Sequence, residues 1–374
     1  MEVETANQIV PQKPIEETVC AMGKAFLEAS SSRNMEAQTF VNKLPQPALK
    51  DALLKASLPH DGPVVVVDLG RSSGPTAIDN VALIIDQLRL QLQPKDHVEF
   101  QAYFNDLPSN DFNHLFQLLT NDGRARTFFA AGAPGSFYDR LFAESSVHVF
   151  HSSCCLHWLS TIPNVVLHNV NTPGCNEGNV WTIHSSSAMA KAYQQQAALD
   201  LKMFLNARAA ELISGGLLFV TLPGRSSSEP NESWDEFSFD FSEVWSALVA
   251  EGSITEEQLD TFNLPCYMRS IEDIKEALAS CSSLFDVLTA KVHTFDGTTP
   301  HSFVDDSEHT LSELEVLSRK TVLVYKAVIN AFVEAHVGKE TAELMWLRYL
   351  ELIEKKMKLG KLVAPLCIVA LIRK

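Results

Sequence analysis

The strongest hydrophobic signal in the chain is a run of four valines at 64–67, which continues through Asp68 to Gly70. An uninterrupted β-branched run of this kind is typical of a central parallel strand with both faces buried. Apolar residues then recur at helical spacing over 77–90, and a second strand-like run covers 98–104. This order predicts a βαβ unit with a glycine-containing loop after its first strand.

Further elements continue the alternation of strand and helix. Strand-like runs occur at 127–131, 147–151, 217–222, 285–292 and 365–372, and helical patterns at 188–212 and 322–334. Between 224 and 267 the composition changes to a serine-rich loop and then to aromatic and acidic residues. The pattern predicts an α/β fold, in which a helical cap is inserted into a mostly parallel, Rossmann-like sheet.

The same changes in pattern predict where the core and the cap begin and end. We expect an α/β core with an N-terminal segment over 1–225, followed by a first cap segment over 226–283. A core strand over 284–297, a second cap segment over 298–360 and a last core strand over 361–374 complete the chain.

The net charge and the cysteine content indicate which classes of partner and which cellular compartment to expect. The 374 residues carry a formal net charge of −16, which repels nucleic-acid phosphates and anionic membrane surfaces. The seven cysteines follow no zinc-binding spacing, and their odd number argues against a disulfide framework. The N-terminal residues are acidic and polar, unlike a signal peptide, and no apolar run reaches the length of a membrane span. We therefore expect a cytoplasmic protein without nucleic-acid or membrane partners.

Two carboxylates stand at the ends of the first two predicted strands. Asp68 precedes the turn Gly70-x-x-x-Gly74, and Asp106 follows the second strand. At the carboxyl edge of a parallel sheet such residues can bind a nucleoside, with a carboxylate accepting the ribose hydroxyls. The turn lacks the GxGxxG pattern of dinucleotide sites, so S-adenosylmethionine fits it better than NAD. On the residues alone, helix or turn capping explains both carboxylates equally well.

Longer motifs carry a specific resemblance. They are Asp68-Leu69-Gly70-x-Ser72-Ser73-Gly74-Pro75, the stretches 105–113, 134–138 and 151–160, the cap motif 260–267 and the last strand 368–373. In this order and spacing the chain closely resembles the plant SABATH methyltransferases. That family comprises the salicylate, benzoate, jasmonate and indoleacetate carboxyl methyltransferases and the N-methyltransferases of the caffeine pathway.

The resemblance implies S-adenosylmethionine as cofactor, a methyltransferase sheet with a helical cap, and a homodimer. It places Asp68 beside the methionine end of the cofactor, Asp106 on the ribose and Leu107 on the adenine. It also implies that Ser136 and Phe137 close over the cofactor. It further implies that the glycine loop with Gly70 and Arg71 contacts the cofactor.

The acceptor residues implied by the resemblance are Gln38 and Trp158, which would hold a substrate carboxylate, and Cys154 and His157, which would shape its pocket. A carboxylate is already ionised at neutral pH and the sulfonium methyl is already activated, so positioning suffices and no general base is required. Without the resemblance, Trp158 is more typical of a core aromatic residue with a satisfied N–H.

The chain departs from the family pattern at several positions near the cofactor. Arg71 stands in place of the usual Cys, Thr76 in place of Asn, and Cys154 in place of Tyr. The Arg71 guanidinium either pairs with the cofactor's methionine carboxylate or points to solvent.

Four further positions match a magnesium site described in the family: Asn176, Asp260, the carbonyl of Phe262, and Asn263. Such a magnesium ion would be non-catalytic. Capping of the Asn-Leu-Pro turn explains the same motif.

Three functional hypotheses follow from these residues. The first is an S-adenosylmethionine-dependent carboxyl O-methyltransferase that forms the methyl ester of a small aromatic acid resembling benzoate or cinnamate. The second is an N-methyltransferase of a xanthine-type heterocycle, and the third is a cofactor-binding relative without turnover. Retention of Gln38 and Trp158 favours the first. His157 stands where salicylate-selective members have Met, which favours acceptors that lack an ortho hydroxyl.

Overall fold

The computed structural model describes residues 44–58, 62–70, 75–91, 98–121, 127–163, 178–181, 185, 187–229, 236–293, 311–357 and 365–374. Its strands are β1 (Val64–Leu69), β2 (Phe100–Asp106), β3 (Phe129–Pro134), β4 (Val147–Ser153), β5 (Leu212–Pro223), β6 (Phe285–His293) and β7 (Leu366–Arg373). The helices of this part of the chain are α1 (Gln46–Lys55), α2 (Pro75–Gln91), α3 (Phe112–Asn121), α4 (Ser187–Glu211), α5 (Glu236–Ala250), α6 (Glu256–Thr261), α7 (Ile271–Ser280), α8 (Leu311–Val337) and α9 (Lys339–Met357).

The strands form one seven-stranded sheet in the order β3-β2-β1-β4-β5-β7-β6. The first five strands of the chain are parallel, and β7 runs antiparallel to both β5 and β6. The valine run forms β1 at the centre of the parallel part, as its pattern predicts. The predicted α/β fold with a mostly parallel sheet is therefore confirmed.

Strand β5 begins earlier than its hydrophobic pattern predicts, at Leu212 instead of 217. Its first residues include Gly215, whose φ of +81° and whose close approach to the Ser57 carbonyl leave no room for a side chain. The Ser57 N–H donates to the Gly215 carbonyl at 3.2 Å. Glycine weakens a strand pattern in the sequence, but here it permits the close contact with the segment after α1.

Apolar side chains cover both faces of the sheet. On one face, Leu53 of α1 and Val81 of α2 pack against strand residues such as Val66. On the other face, Phe204 of α4 and Leu278 of α7 join a second cluster with the opposite side of the strands. The sheet is thus the middle layer of a three-layer structure, and its residues alternate between the two faces.

Helices α5, α6, α8 and α9 share a third apolar cluster that includes Phe241, Trp245, Val333, Met345 and Trp346. In contrast, α7 packs with the sheet and α4, although it lies within the predicted first cap segment. The predicted domain boundaries remain predictions. In the part of the chain that the structure describes, no helix is both long and apolar enough to cross a membrane.

Candidate active site

The carboxyl ends of β1, β2 and β4 meet at one edge of the sheet. Pairing places Asp68 beside Phe104 on one side and His151 on the other. After β1, the Gly70 N–H donates to the Asn105 carbonyl at 2.9 Å. The residues that the sequence assigns to a nucleoside site therefore lie together, because parallel strands end at the same edge.

Asp68 is buried, and its two carboxylate oxygens have different surroundings. Oδ1 lies 2.6 Å from Nδ1 of His151, whose ring stacks on Phe219 with the two planes only 4° apart. Oδ2 is buried and has no hydrogen-bond partner among the described residues. An unpaired buried oxygen costs free energy, so Oδ2 is suited to accept a hydrogen bond from a bound ligand.

Asp106 is the second acidic side chain at this edge. Its Oδ1 accepts the Leu107 N–H at 2.7 Å, and its Oδ2 accepts from Asn110 Nδ2 at 3.2 Å. Burial raises the pKa of Asp106 to about 6, against the opposing effect of the Leu107 N–H and with a further rise from Asp68. Each oxygen keeps lone-pair capacity for another donor, so the side chain can bind two neighbouring hydroxyls.

The loop after β3 packs against the end of β1. The Phe137 ring lies so close to Gly70 that a Cβ at that glycine would sit 2.6 Å from Phe137 Cε1. Gly70 also has a φ of +72°, which L side chains rarely adopt. Glycine at this position therefore permits both the turn and the contact with the loop.

A buried ion pair holds this loop from α4. Arg208 donates to the carbonyls of Phe137 at 2.8 Å and Asp139 at 2.9 Å, and it pairs with Glu211. Glu211 in turn accepts the Phe142 N–H at 2.9 Å. Neither residue is among the predicted site residues, and the available signal was a pair of opposite charges at i and i+3 in the last turn of α4.

Trp158 and His157 lie beyond the end of β4, next to the cap. The indole of Trp158 stacks on Phe332 of α8, with ring centroids 5.9 Å apart and an angle of 9° between the planes. Its N–H makes no hydrogen bond within the described part of the chain. Burial, together with the nearby charge of Arg269, lowers the pKa of His157 to about 3, so the imidazole is neutral at physiological pH. Trp158 and His157 therefore provide uncharged ring nitrogens among aromatic side chains.

Hydrogen bonds from several elements fix the backbone of residues 156–160. Tyr138 Oη donates to the Trp158 carbonyl at 2.5 Å, and the Leu159 N–H donates to the Pro265 carbonyl at 2.7 Å. Asp200 of α4 accepts the N–H and the hydroxyl of Ser160 at 2.8 and 2.6 Å. The Trp158 side chain thus projects from a rigid segment. These supporting residues are not among those predicted from the sequence.

The remaining predicted pocket residue, Cys154, connects the end of β4 to this segment. It has a φ of +56°, unusual for a residue other than glycine. Its N–H donates to the Thr221 carbonyl of β5 at 2.7 Å. The predicted residues Gln38, Arg71 and Asn176 lie outside the described residues.

Three of the four residues predicted for magnesium, Asp260, Phe262 and Asn263, lie in the described part of the chain, and the metal site remains a prediction. Asp260 accepts the Gly178 N–H at 2.9 Å, and the Asn263 amide donates to the Thr261 carbonyl at 3.2 Å. The side chain of Phe262 packs in the cap, stacked on Trp245. A single carboxylate that already caps a backbone N–H is a poor ligand set for Mg²⁺. The described residues contain no cluster of three histidine, cysteine or acidic side chains arranged for a metal.

Comparison with known proteins places these observations in a family. The family described as SAM dependent carboxyl methyltransferase matches residues 17–374. Indole-3-acetate O-methyltransferase 1 of Arabidopsis thaliana is 34% identical over 343 residues, covering 87% of this chain and 86% of that protein. Gibberellic acid methyltransferase 2 of the same plant is 31% identical over 347 residues, or 88% of each chain.

A solved structure gives the same result. The structure of loganic acid methyltransferase with SAH superimposes with a TM-score of 0.79 at 29% identity, covering 92% of this chain and 96% of that one. The resemblance drawn from the sequence motifs is confirmed. The chain belongs to the SABATH family of S-adenosylmethionine-dependent carboxyl methyltransferases.

Proposed function

We propose that this protein forms the methyl ester of a small aromatic carboxylic acid. The observation that carries the proposal is the indole N–H of Trp158, which makes no hydrogen bond among the described residues and is held on a rigid backbone beside the neutral His157. Trp158 N–H can donate to a carboxylate without transferring a proton or neutralising the charge. Trp158, His157 and Phe332 also offer the aromatic surface that a planar acid needs.

The reaction needs positioning and a dry pocket. A carboxylate oxygen attacks the methyl carbon of the sulfonium, and the electrons of the breaking carbon–sulfur bond remain on sulfur. The nucleophile is already ionised, so no base is needed, and the neutral His157, whose pKa is low, takes no part in proton transfer. In this proposal Gln38 supplies a second donor to the carboxylate, and Cys154 lines the pocket. Catalysis then comes mainly from alignment of oxygen, carbon and sulfur.

On the cofactor side, we assign the Asp68 oxygen that has no partner among the described residues to the ammonium of the methionine moiety, and Asp106 to the ribose hydroxyls. Leu107 packs on the adenine, and the backbone at Gly70 approaches the cofactor closely. The remaining proposed contacts come from Arg71, Ser136 and Phe137. The magnesium site remains a prediction, and the proposed reaction has no step that uses the metal. The homodimer and the cytoplasmic location remain predictions.

The assignment of Asp106 predicts how cofactor binding depends on pH. Hydroxyl donors favour the ionised carboxylate, so binding lowers the pKa from about 6. Affinity for S-adenosylhomocysteine should therefore be constant above about pH 7 and fall by up to about tenfold per unit below pH 6. Calorimetry over this range on the parent and on Asp106→Asn tests the assignment. If the variant shows the same decline as the parent, another group is responsible.

The relatives support a carboxylate acceptor and leave its identity open. Those named for indole-3-acetate, gibberellic acid, jasmonic acid and loganic acid act on carboxylic acids, whereas one is a caffeine synthase. The aromatic pocket wall and His157 favour an aromatic monocarboxylate without an ortho hydroxyl.

Steady-state kinetics on a panel of acids tests this preference. We expect kcat/KM to be higher for benzoate or cinnamate than for salicylate, jasmonate or gibberellic acid. Salicylate as the best acceptor would refute the role assigned to His157, and a preference for an aliphatic acid would refute the aromatic class.

A further inference from the structure

Tyr138 joins the loop that follows β3 to the segment that carries Trp158. It comes directly after Ser136 and Phe137, and its ring packs against Phe137 with centroids 4.7 Å apart. Its hydroxyl donates to the Trp158 carbonyl at 2.5 Å. One side chain therefore contacts the proposed cofactor-covering residue and the proposed acceptor-binding residue.

The hydrogen bond has a defined direction and a defined partner. Burial raises the pKa of the Tyr138 phenol, so the hydroxyl keeps its proton and can donate. The neighbouring backbone groups are paired elsewhere, since the Tyr267 N–H donates to the His157 carbonyl and the Leu159 N–H to the Pro265 carbonyl. Without the phenol, the Trp158 carbonyl would lose its donor and the local backbone would open more readily.

The loop that contains Tyr138 is held in place by Arg208 and by the end of β1. Arg208 holds the carbonyls of Phe137 and Asp139, which flank Tyr138 in the chain. On the other side, the Phe137 ring touches Gly70 at the end of β1. A ligand that contacts Phe137 therefore contacts a short segment that Arg208 holds in place. Tyr138 is the residue of this segment that bonds directly to Trp158.

We propose that Tyr138 is a positioning residue that couples occupation of the cofactor site to the placement of Trp158 for the acceptor. The inference rests on the proposed function, because it takes Trp158 as the donor to the acceptor carboxylate. It implies that the acceptor binds more tightly once the cofactor is in place. It also implies that the phenolic hydroxyl, and not merely the aromatic ring, carries the coupling.

Hydrogen–deuterium exchange on the full chain with S-adenosylhomocysteine and no acceptor tests the coupling. In the parent, the cofactor product should slow exchange of the amides in residues 156–160. In Tyr138→Phe this slowing should be reduced about tenfold, the effect of one hydrogen bond of ordinary strength. Tyr193→Phe is the matched control, because Tyr193 is also buried but its hydroxyl makes no hydrogen bond within the described part of the chain.

Kinetics supply a second readout that loss of stability alone would not produce. Tyr138→Phe should raise the acceptor KM several-fold and leave the affinity for S-adenosylhomocysteine within about twofold of the parent value. Tyr193→Phe should change neither. The proposal would be overturned if S-adenosylhomocysteine slowed exchange of residues 156–160 as much in Tyr138→Phe as in the parent. It would also be overturned if S-adenosylhomocysteine did not slow this exchange in the parent.

The two proposals fail in different ways. If no acid is methylated, the proposed function is wrong, yet the exchange experiment still reports on the coupling because it uses S-adenosylhomocysteine alone. If aromatic acids are methylated but Tyr138→Phe transmits protection normally, only the coupling is wrong.

Discussion

Gly70→Ala should weaken binding of S-adenosylhomocysteine by about a hundredfold and lower the free energy of unfolding by about 2–4 kcal/mol. The new Cβ would lie 2.6 Å from the Phe137 ring and 2.9 Å from the Cys155 Cβ, at a φ of +72°. Phe137 cannot retreat freely, because its ring packs edge-on against Phe204 of α4. The turn must move instead, and this turn is the proposed contact with the cofactor. Calorimetric titration and chemical denaturation measure the two effects.

Gly62→Ala is the matched control for this prediction. Gly62 precedes the same strand, and a Cβ added there meets nothing within 4 Å. The control should bind S-adenosylhomocysteine as the parent does. If Gly70→Ala also retained the parent affinity, the end of β1 would not be the surface on which the cofactor lies.

Trp158→Phe should lower kcat/KM for the preferred acid by about one to three orders of magnitude, the scale of a lost charge-assisted hydrogen bond together with misorientation. Phenylalanine keeps an aromatic ring to pack on Phe332 but has no N–H for the carboxylate. Binding of S-adenosylhomocysteine should change less than about twofold, because the cofactor site is formed by other residues. The same loss of kcat/KM is expected for Gln38→Ala.

Trp245→Phe provides the control for Trp158→Phe. Trp245 lies in the cap core, stacked on Phe262, and its indole N–H has no hydrogen-bond partner among the described residues. The control removes the same group from a tryptophan that is not among the proposed acceptor-binding residues, and it should keep most of the activity below its unfolding temperature. Equal losses in the two variants would mean that Trp158 acts through packing alone.

Hydrophobic pattern was sufficient to predict most of the sheet. The valine run of β1 and the later strand-like runs correspond to observed strands, because buried parallel strands require continuous apolar residues. The pattern does not predict the early part of β5, because Gly215 and Gly216 interrupt it; Gly215 permits a close backbone contact with Ser57. The helical pattern at 322–334 marked only part of α8, which begins at Leu311.

The site was predictable in part for a similar reason. Asp68 and Asp106 end adjacent parallel strands, so their proximity follows from the strand pattern alone. The residues that contact and hold this site cannot be predicted from the strand pattern. His151 contacts Asp68 although 83 residues separate them in sequence, and Arg208 contacts Phe137 over a separation of 71 residues. Such buried polar contacts depend on packing between elements and leave no local periodicity in the sequence.

The most direct test of the account is the chemical identity of the methylated product. The purified chain is incubated with S-adenosylmethionine labelled in its methyl group and with benzoate or cinnamate, and in parallel with a xanthine. We predict labelled methyl ester from the aromatic acid, recognised by its mass and by release of labelled methanol in alkali, and no labelled xanthine. Label on a ring nitrogen of the xanthine, or no transfer to either acid, would contradict the account.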